Sequence, residues 1–143
     1  MKIFMKKLRE DAVIPSYATK GSAGMDISFC GEPVTLQPGE RKLLHTGFSL
    51  AIPEGYEAQI RPRSGLALKD GIILPNSPGT IDSDYRGELK IIVANIGDKP
   101  VTLSPGQRVA QMVISKVERA EPVWSDELPG SERGNGGFGS TGK

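Results

Sequence analysis

The chain has 143 residues, enough for one domain, and its 18 Lys and Arg against 17 Asp and Glu leave a net charge of +1. That balance lacks the basic excess of a dedicated nucleic-acid binder, and 37% apolar with 24% charged residues is a globular composition, not a disordered one. No apolar run is long enough for a membrane-spanning helix, and MKIFMKKLRED lacks the apolar core of a signal peptide. The single cysteine, Cys30, allows no internal disulfide, and the single histidine, His45, allows no multi-His metal site. A cytoplasmic location is the expectation.

Gly and Pro together make up about a fifth of the chain, against roughly 12% in average proteins. They are spaced as punctuation between short apolar runs, which predicts an all-β fold with many turns. In chain order the strand candidates are Lys2–Leu8, Ala23–Cys30, Val34–Leu36, Arg41–Ile52, Tyr56–Pro62, Gly71–Leu74, Gly87–Asn95 and Val109–Val117. One helical turn is expected after Ser64, with Ser64 as its cap and Gly71 as its stop. Pro38-Gly39 fits the two central positions of a type II turn. VTLQPGER (Val34–Arg41) returns as VTLSPGQR (Val101–Arg108), which reads either as two strand–turn–strand corners sharing one turn chemistry or as a duplicated half-barrel.

From Gly130 the sequence becomes GSERGNGGFGSTGK, in which Phe138 is the one large apolar residue. Such a segment buries too little to order itself, so a glycine-rich arm over 130–143 is expected to follow a β domain over 1–129. An aromatic ring amid free backbone N–H groups suits a nucleotide lid. Gly137–Lys143 also matches most of a phosphate-binding P-loop, but that motif needs a preceding strand and a following helix, and none is expected there.

Three groups of residues suit chemistry. Arg63, Ser64 and Gly65, in RPRSGLALK, combine a guanidinium with hydroxyl and N–H donors, a set that suits phosphate. Asp82 lies before Tyr85 in GTIDSDYRGELK, and a carboxylate that orients water is a hydrolytic base. Asp26 is another carboxylate candidate. Cys30 reads as a small buried residue, and His45 as structural or surface.

The segments AGMDIS (23–28), RPRSGLALK (61–69), GTIDSDYRGE (79–88), GQRVAQMVI (106–114) and RGNGGFGSTG (133–142) follow in one order. Together they strongly resemble the homotrimeric dUTPase family. The resemblance implies an all-β, jelly-roll-like distorted barrel with one short helix. It implies hydrolysis of dUTP to dUMP and pyrophosphate with Mg2+ held by the triphosphate, limiting uracil in DNA and supplying dUMP for dTTP synthesis. It implies three sites, each shared between three chains, with no nucleic-acid or membrane partner.

By the same resemblance, Asp82 orients the attacking water and Tyr85 packs on deoxyribose, leaving no room for a 2′-hydroxyl. Asn76 reads uracil, while the backbone of Thr80, Ile81, Asp82 and Lys90 lines a narrow hairpin that shuts out the thymine methyl. Arg63, Ser64 and Gly65 hold phosphates, and Gln111 lies near the α-phosphate and the water. Asp26 is tied to ion pairs and, through water, to the metal, which has no direct protein ligand. Arg133, Gly139, Ser140 and Thr141 clamp the γ-phosphate, and Phe138 stacks over uracil. Met25 stands where the family more often has an aromatic residue, and Thr80 where it has an apolar one. Three other readings compete: a dUTP-binding module without catalysis, a purely structural β-trimer that would need no glycine-rich arm with Phe138, and the related dCTP deaminases, whose catalytic glutamate falls where this chain has Ile92.

Overall fold

Alternation along ELKIIVAN decides where the core lies. Leu89, Ile91 and Val93 are buried on one side of this strand while Lys90 faces water, the period-2 pattern of a sheet packed on one face. The computed structural model of the chain describes residues 1–140 and Gly142. It contains strands β1 (Phe4–Lys7), β2 (Ser16–Tyr17), β3 (Met25–Ser28), β4 (Val34–Leu36), β5 (Arg41–Ala51) and β6 (Tyr56–Pro62). Helix α1 (Ser64–Asp70) follows, then β7 (Ile72–Ile73), β8 (Gly79–Ile81), β9 (Glu88–Asn95), β10 (Val101–Leu103) and β11 (Arg108–Lys116).

The strands form a four-stranded sheet, β1-β5-β9-β7, a five-stranded sheet, β2-β3-β11-β6-β8, and a two-stranded ribbon, β10-β4. Ile27, Phe29, Leu44, Ile60, Ile91 and Met112 belong to the single apolar cluster they enclose. The all-β, jelly-roll-like expectation holds. Among the described residues the sheets are not joined into a closed barrel, because the strands at their edges are only two to four residues long.

The repeated octapeptide explains the ribbon. Its two copies pair with each other antiparallel, Thr35 opposite Thr102, and the two hydroxyls hydrogen-bond at 2.8 Å. Both copies then turn in the same way. The Glu40 N–H donates to the Gln37 carbonyl and the Gln107 N–H to the Ser104 carbonyl, each at 3.0 Å. Gly39 and Gly106, at φ 82° and 84°, take the positive φ that this turn requires. The Gly39 N–H donates to the Asn95 carbonyl, and the Gly106 N–H to that of Phe29. The shared turn chemistry therefore sits within a local two-fold, in which β3-β4-β5 and β9-β10-β11 exchange partners: β5 pairs with β9, and β11 with β3.

One expectation is corrected, and two short strands are added to those expected. Ser64 does not cap α1. It is the first helical residue, and Arg63, at the cap position, makes no side-chain cap bond. Gly71 does end the helix, at φ 65°, with its N–H donating to the Ala67 carbonyl. The short strands β2 and β8 were not foreseen, because they exist only through pairing with β3 and β6.

The β5–β9 ladder slips midway. His45 faces Lys90, yet Ser49 faces Glu88, so four residues of β5 span two of β9. Gly47 sits at the slip with φ 72°, and a Cβ there would lie 2.9 Å from both Ala12 Cβ and Cys30 Sγ. Its carbonyl accepts the N–H groups of Leu8 and Arg9. Substitution Gly47→Ala is therefore expected to cost at least about 2 kcal/mol, through the strained φ and the collision together, and to lower the thermal midpoint clearly. An unshifted melt by differential scanning calorimetry would remove this junction from the account.

Candidate functional site

β3, β11 and the start of α1 converge on one polar pocket. Asp26 on β3 lies directly across from Gln111 on β11, so their side chains share a face. Asp26, only 16% exposed, holds two guanidinium groups: Arg63 Nε at 3.0 Å and Arg108 Nη1 at 2.8 Å. Gln111 Nε2 donates to the Pro62 carbonyl at 2.9 Å. Its Oε1 lies against Gly24, where a Cβ would come within 2.6 Å of it. Ser64 and Gly65 complete the rim of a cavity of about 340 Å³. A carboxylate that pre-positions two arginines beside hydroxyl and N–H donors makes an anion cradle with one positive charge to spare.

This pocket brings together Asp26, Arg63, Ser64, Gly65 and Gln111. It also contains Arg108, which was not singled out. Arg108 ends the second octapeptide copy, so its place was visible, but its partner Asp26 is 82 residues away and left no local signal.

Asp82 and Thr80 lie elsewhere, in a cleft of about 700 Å³ that also includes Glu57 and Arg86. Ile81 pairs with Ala58, which puts Asp82 level with Glu57 on β6. From there to Arg63 the chain runs extended for six residues, a distance of about 20 Å. Ile81 turns its side chain into the core, so only its backbone can face a ligand. Asn76 lies against Gly79, where a Cβ would sit 3.1 Å from its Nδ2. Lys90 is exposed and pairs with His45.

Tyr85 closes a turn, donating its N–H to the Asp82 carbonyl at 3.2 Å and its hydroxyl to the Glu88 carbonyl at 3.0 Å. Its ring covers Gly87 so closely that a Cβ there would overlap it. The Glu88 carboxylate meets His45 Nδ1 at 2.9 Å and accepts the Gly47 N–H at 3.0 Å. Burial pushes the Glu88 carboxyl up, but His45, the Gly47 N–H and the charge of Lys90 together hold it below its ordinary range.

Arg133, Phe138, Gly139 and Ser140 lie on a terminal segment without strand or helix, and Phe138 is fully exposed. Among the described residues the hydrogen bonds of 118–140 are local to that segment. Thr141 lies outside the described residues. Ile92, the position that separates the rival deaminase chemistry, is an aliphatic residue of β9 opposite Leu43 and offers no proton shuttle. Among the described residues no three His, Cys, Asp or Glu side chains converge to hold a metal ion.

The chain is therefore an all-β, jelly-roll-like protein with an arginine-lined pocket suited to an anion and a carboxylate at the turn of an edge strand. Comparison with known proteins makes this specific. The dUTPase family model matches residues 10–142. A deoxyuridine 5′-triphosphate nucleotidohydrolase of Hydrogenobaculum sp. is 56% identical over 142 residues, 99% of each chain. One of Nautilia profundicola is 52% identical over 143 residues, the whole of both chains. Among solved structures, the Staphylococcus bacteriophage 80alpha dUTPase with dUPNHPP superposes at a TM-score of 0.90, with 30% identity and 99% of each chain covered. A dUTPase variant from phage phi11 of S. aureus, described with a structural Mg(II) ion, superposes at 0.81 with 26% identity, over 90% of this chain and 99% of its own. The chain belongs to the dUTPase family.

The depressed Glu88 carboxyl gives a signed prediction. Its ionised form stabilises the fold above the ordinary carboxylate pKa, and that contribution is lost as the pH falls through the lowered value. Glu88→Gln should therefore melt lower than the parent near neutrality and lose less stability between about pH 5 and pH 3. Parallel acid limbs in thermal melts of the two proteins would exclude a role for this carboxylate in acid stability.

Proposed function

We propose that this chain hydrolyses dUTP to dUMP and pyrophosphate in sites completed between three copies of itself. What carries the shared site is the run of about 20 Å along β6 between the level of Asp82 and the Arg63–Ser64 segment. A base and a phosphate cradle that act on one scissile bond must lie within a few ångströms of it. One chain holds them too far apart, so a second copy supplies the partner half.

In this reading Asp82 accepts a proton from the attacking water and aims it at the α-phosphorus. Gln111, fixed by the Pro62 carbonyl, keeps its Oε1 free to orient that water or the α-phosphate. Arg63, Ser64 and Gly65 bind the phosphate chain, and Asp26 and Arg108 hold Arg63 in place. Asn76 pairs with the uracil edge and the backbone of Thr80, Ile81, Asp82 and Lys90 shapes a slot too narrow for a 5-methyl group. Tyr85 takes the deoxyribose. Residues 130–143 form an arm of the 1–129 domain, bringing Phe138 over the base and Arg133, Gly139, Ser140 and Thr141 to the γ-phosphate.

Magnesium bound to the triphosphate would neutralise part of its charge. The residues fit that role: Asp26 has an arginine on each oxygen, so it would reach such an ion through its hydration water rather than ligate it directly. A cytoplasmic site of action fits a chain with one cysteine, buried and unpaired.

The test is pyrophosphate release from dUTP, dTTP, dCTP and UTP with Mg2+, with the assembly weighed by light scattering. Release from dUTP alone by a trimer is expected. No release from dUTP would overturn the activity, and a monomer at full rate would overturn the shared site. Asp82→Asn should lower kcat about 10²–10⁴-fold while dUTP still binds. Full turnover would remove Asp82 as the base. Deleting Arg133–Lys143 should lower kcat by about a hundredfold without shifting the thermal midpoint, since the lost group aligns substrate and excludes water. An unchanged rate would reduce the arm to a tail.

A further inference from the structure

Glu88 has no part in the reaction described above, yet it is fixed at three points. Its main-chain carbonyl accepts the Tyr85 hydroxyl at 3.0 Å. Its Oε1 accepts the Gly47 N–H at 3.0 Å and its Oε2 meets His45 Nδ1 at 2.9 Å. The side chain is only 17% exposed, whereas that of His45 is 52% exposed. Gly47 lies in the slip of the β5–β9 ladder, so its N–H has no ladder partner and the carboxylate replaces one.

Tyr85 is the reverse case. It is 44% exposed and has no core to hold its ring. Its position depends on the turn bond to Asp82, the close contact with Gly87 and the hydroxyl bond to the Glu88 carbonyl. A ring that filters substrates by clearance needs a fixed seat, because a shift of about 1 Å is enough to admit or reject an oxygen atom.

We propose that Glu88 is a positioning residue for sugar discrimination: by binding Gly47 and His45 of β5 it fixes the carbonyl on which the Tyr85 hydroxyl rests, and so sets the clearance that keeps a 2′-hydroxyl out. This rests on the reading of Tyr85 as the ring that packs on deoxyribose. The device reaches from the slip in one sheet to the turn that carries the site, and no contact of Glu88 with substrate is required.

The test compares kcat/KM for dUTP and UTP across variants of the full-length protein. Glu88→Ala should lower the dUTP-to-UTP preference about tenfold while kcat on dUTP falls by less than about threefold. Tyr85→Phe, which removes the hydroxyl but keeps the ring, should lower it similarly, and the double variant should lose no more than either single one. Glu88→Gln should keep most of the preference, since an amide oxygen still accepts the Gly47 N–H. If Glu88→Ala melts too low to assay, Tyr85→Phe decides. A parental preference in Glu88→Ala or Tyr85→Phe, or losses that multiply in the double variant, would overturn the proposal. Tyr85→Ala separates the two failures: if it abolishes the preference and Glu88→Ala does not, the sugar filter stands and only the buttress falls. If Tyr85→Ala leaves the preference intact, the filter reading fails and the buttress with it.

Discussion

The architecture turns on the slip in the β5–β9 ladder. On its other side β5 pairs with β1 in a regular register, which carries on past Lys7 to set Leu8 opposite Gly47. At the slip the Gly47 carbonyl accepts the N–H groups of Leu8 and Arg9, while its own N–H donates to the Glu88 carboxylate. The Cys30 N–H bonds to the His45 carbonyl beside it. Four segments distant in sequence therefore meet at one glycine, which only a residue without a side chain can occupy. The turn that carries Asp82 and Tyr85 hangs from the end of β9 that this junction fixes.

The polar side of the molecule follows from a second constraint. The outer face of β6 carries Glu57, Gln59 and Arg61, linked in sequence by hydrogen bonds: Gln59 Nε2 to Glu57 at 2.7 Å and Arg61 Nη2 to Gln59 at 2.6 Å. The inner face of the same strand carries Ala58 and Ile60 in the core. One strand thus separates an apolar interior from a hydrophilic face that joins the Asp82 cleft to the arginine cradle. In the proposed reading, the two ends of β6 serve different copies of the chain.

Much of this was legible in the residues, and the exceptions have physical reasons. β6 was readable to the residue because Tyr56–Pro62 alternates cleanly between Gly55 and the Ser64 turn. The type II turn at Pro38-Gly39 was readable because that pair has few other uses. β2 and β8 were not, since two or three residues carry no period of their own. The cradle residues were recognisable as motifs through family resemblance, but the ion pair that organises them joins Asp26 to Arg108 across most of the chain. Nor does a linear order of motifs tell which of them one chain can bring together. The separation of Asp82 from Ser64 appears only once β8 is placed in register on β6.

The local two-fold around Thr35 and Thr102 bears on how such a chain comes to fold. Each repeat sends its outgoing strand to the sheet that holds the other repeat's incoming one, so neither half encloses an interior by itself. The first half cannot rest as a finished intermediate while the ribosome makes the second. Closing the ribbon brings together residues 67 apart in sequence, and the chain must meet that loop entropy before the core rewards it. Folding is then expected to be late, slow and all-or-none, with the centre of symmetry among the last contacts a nascent chain can make.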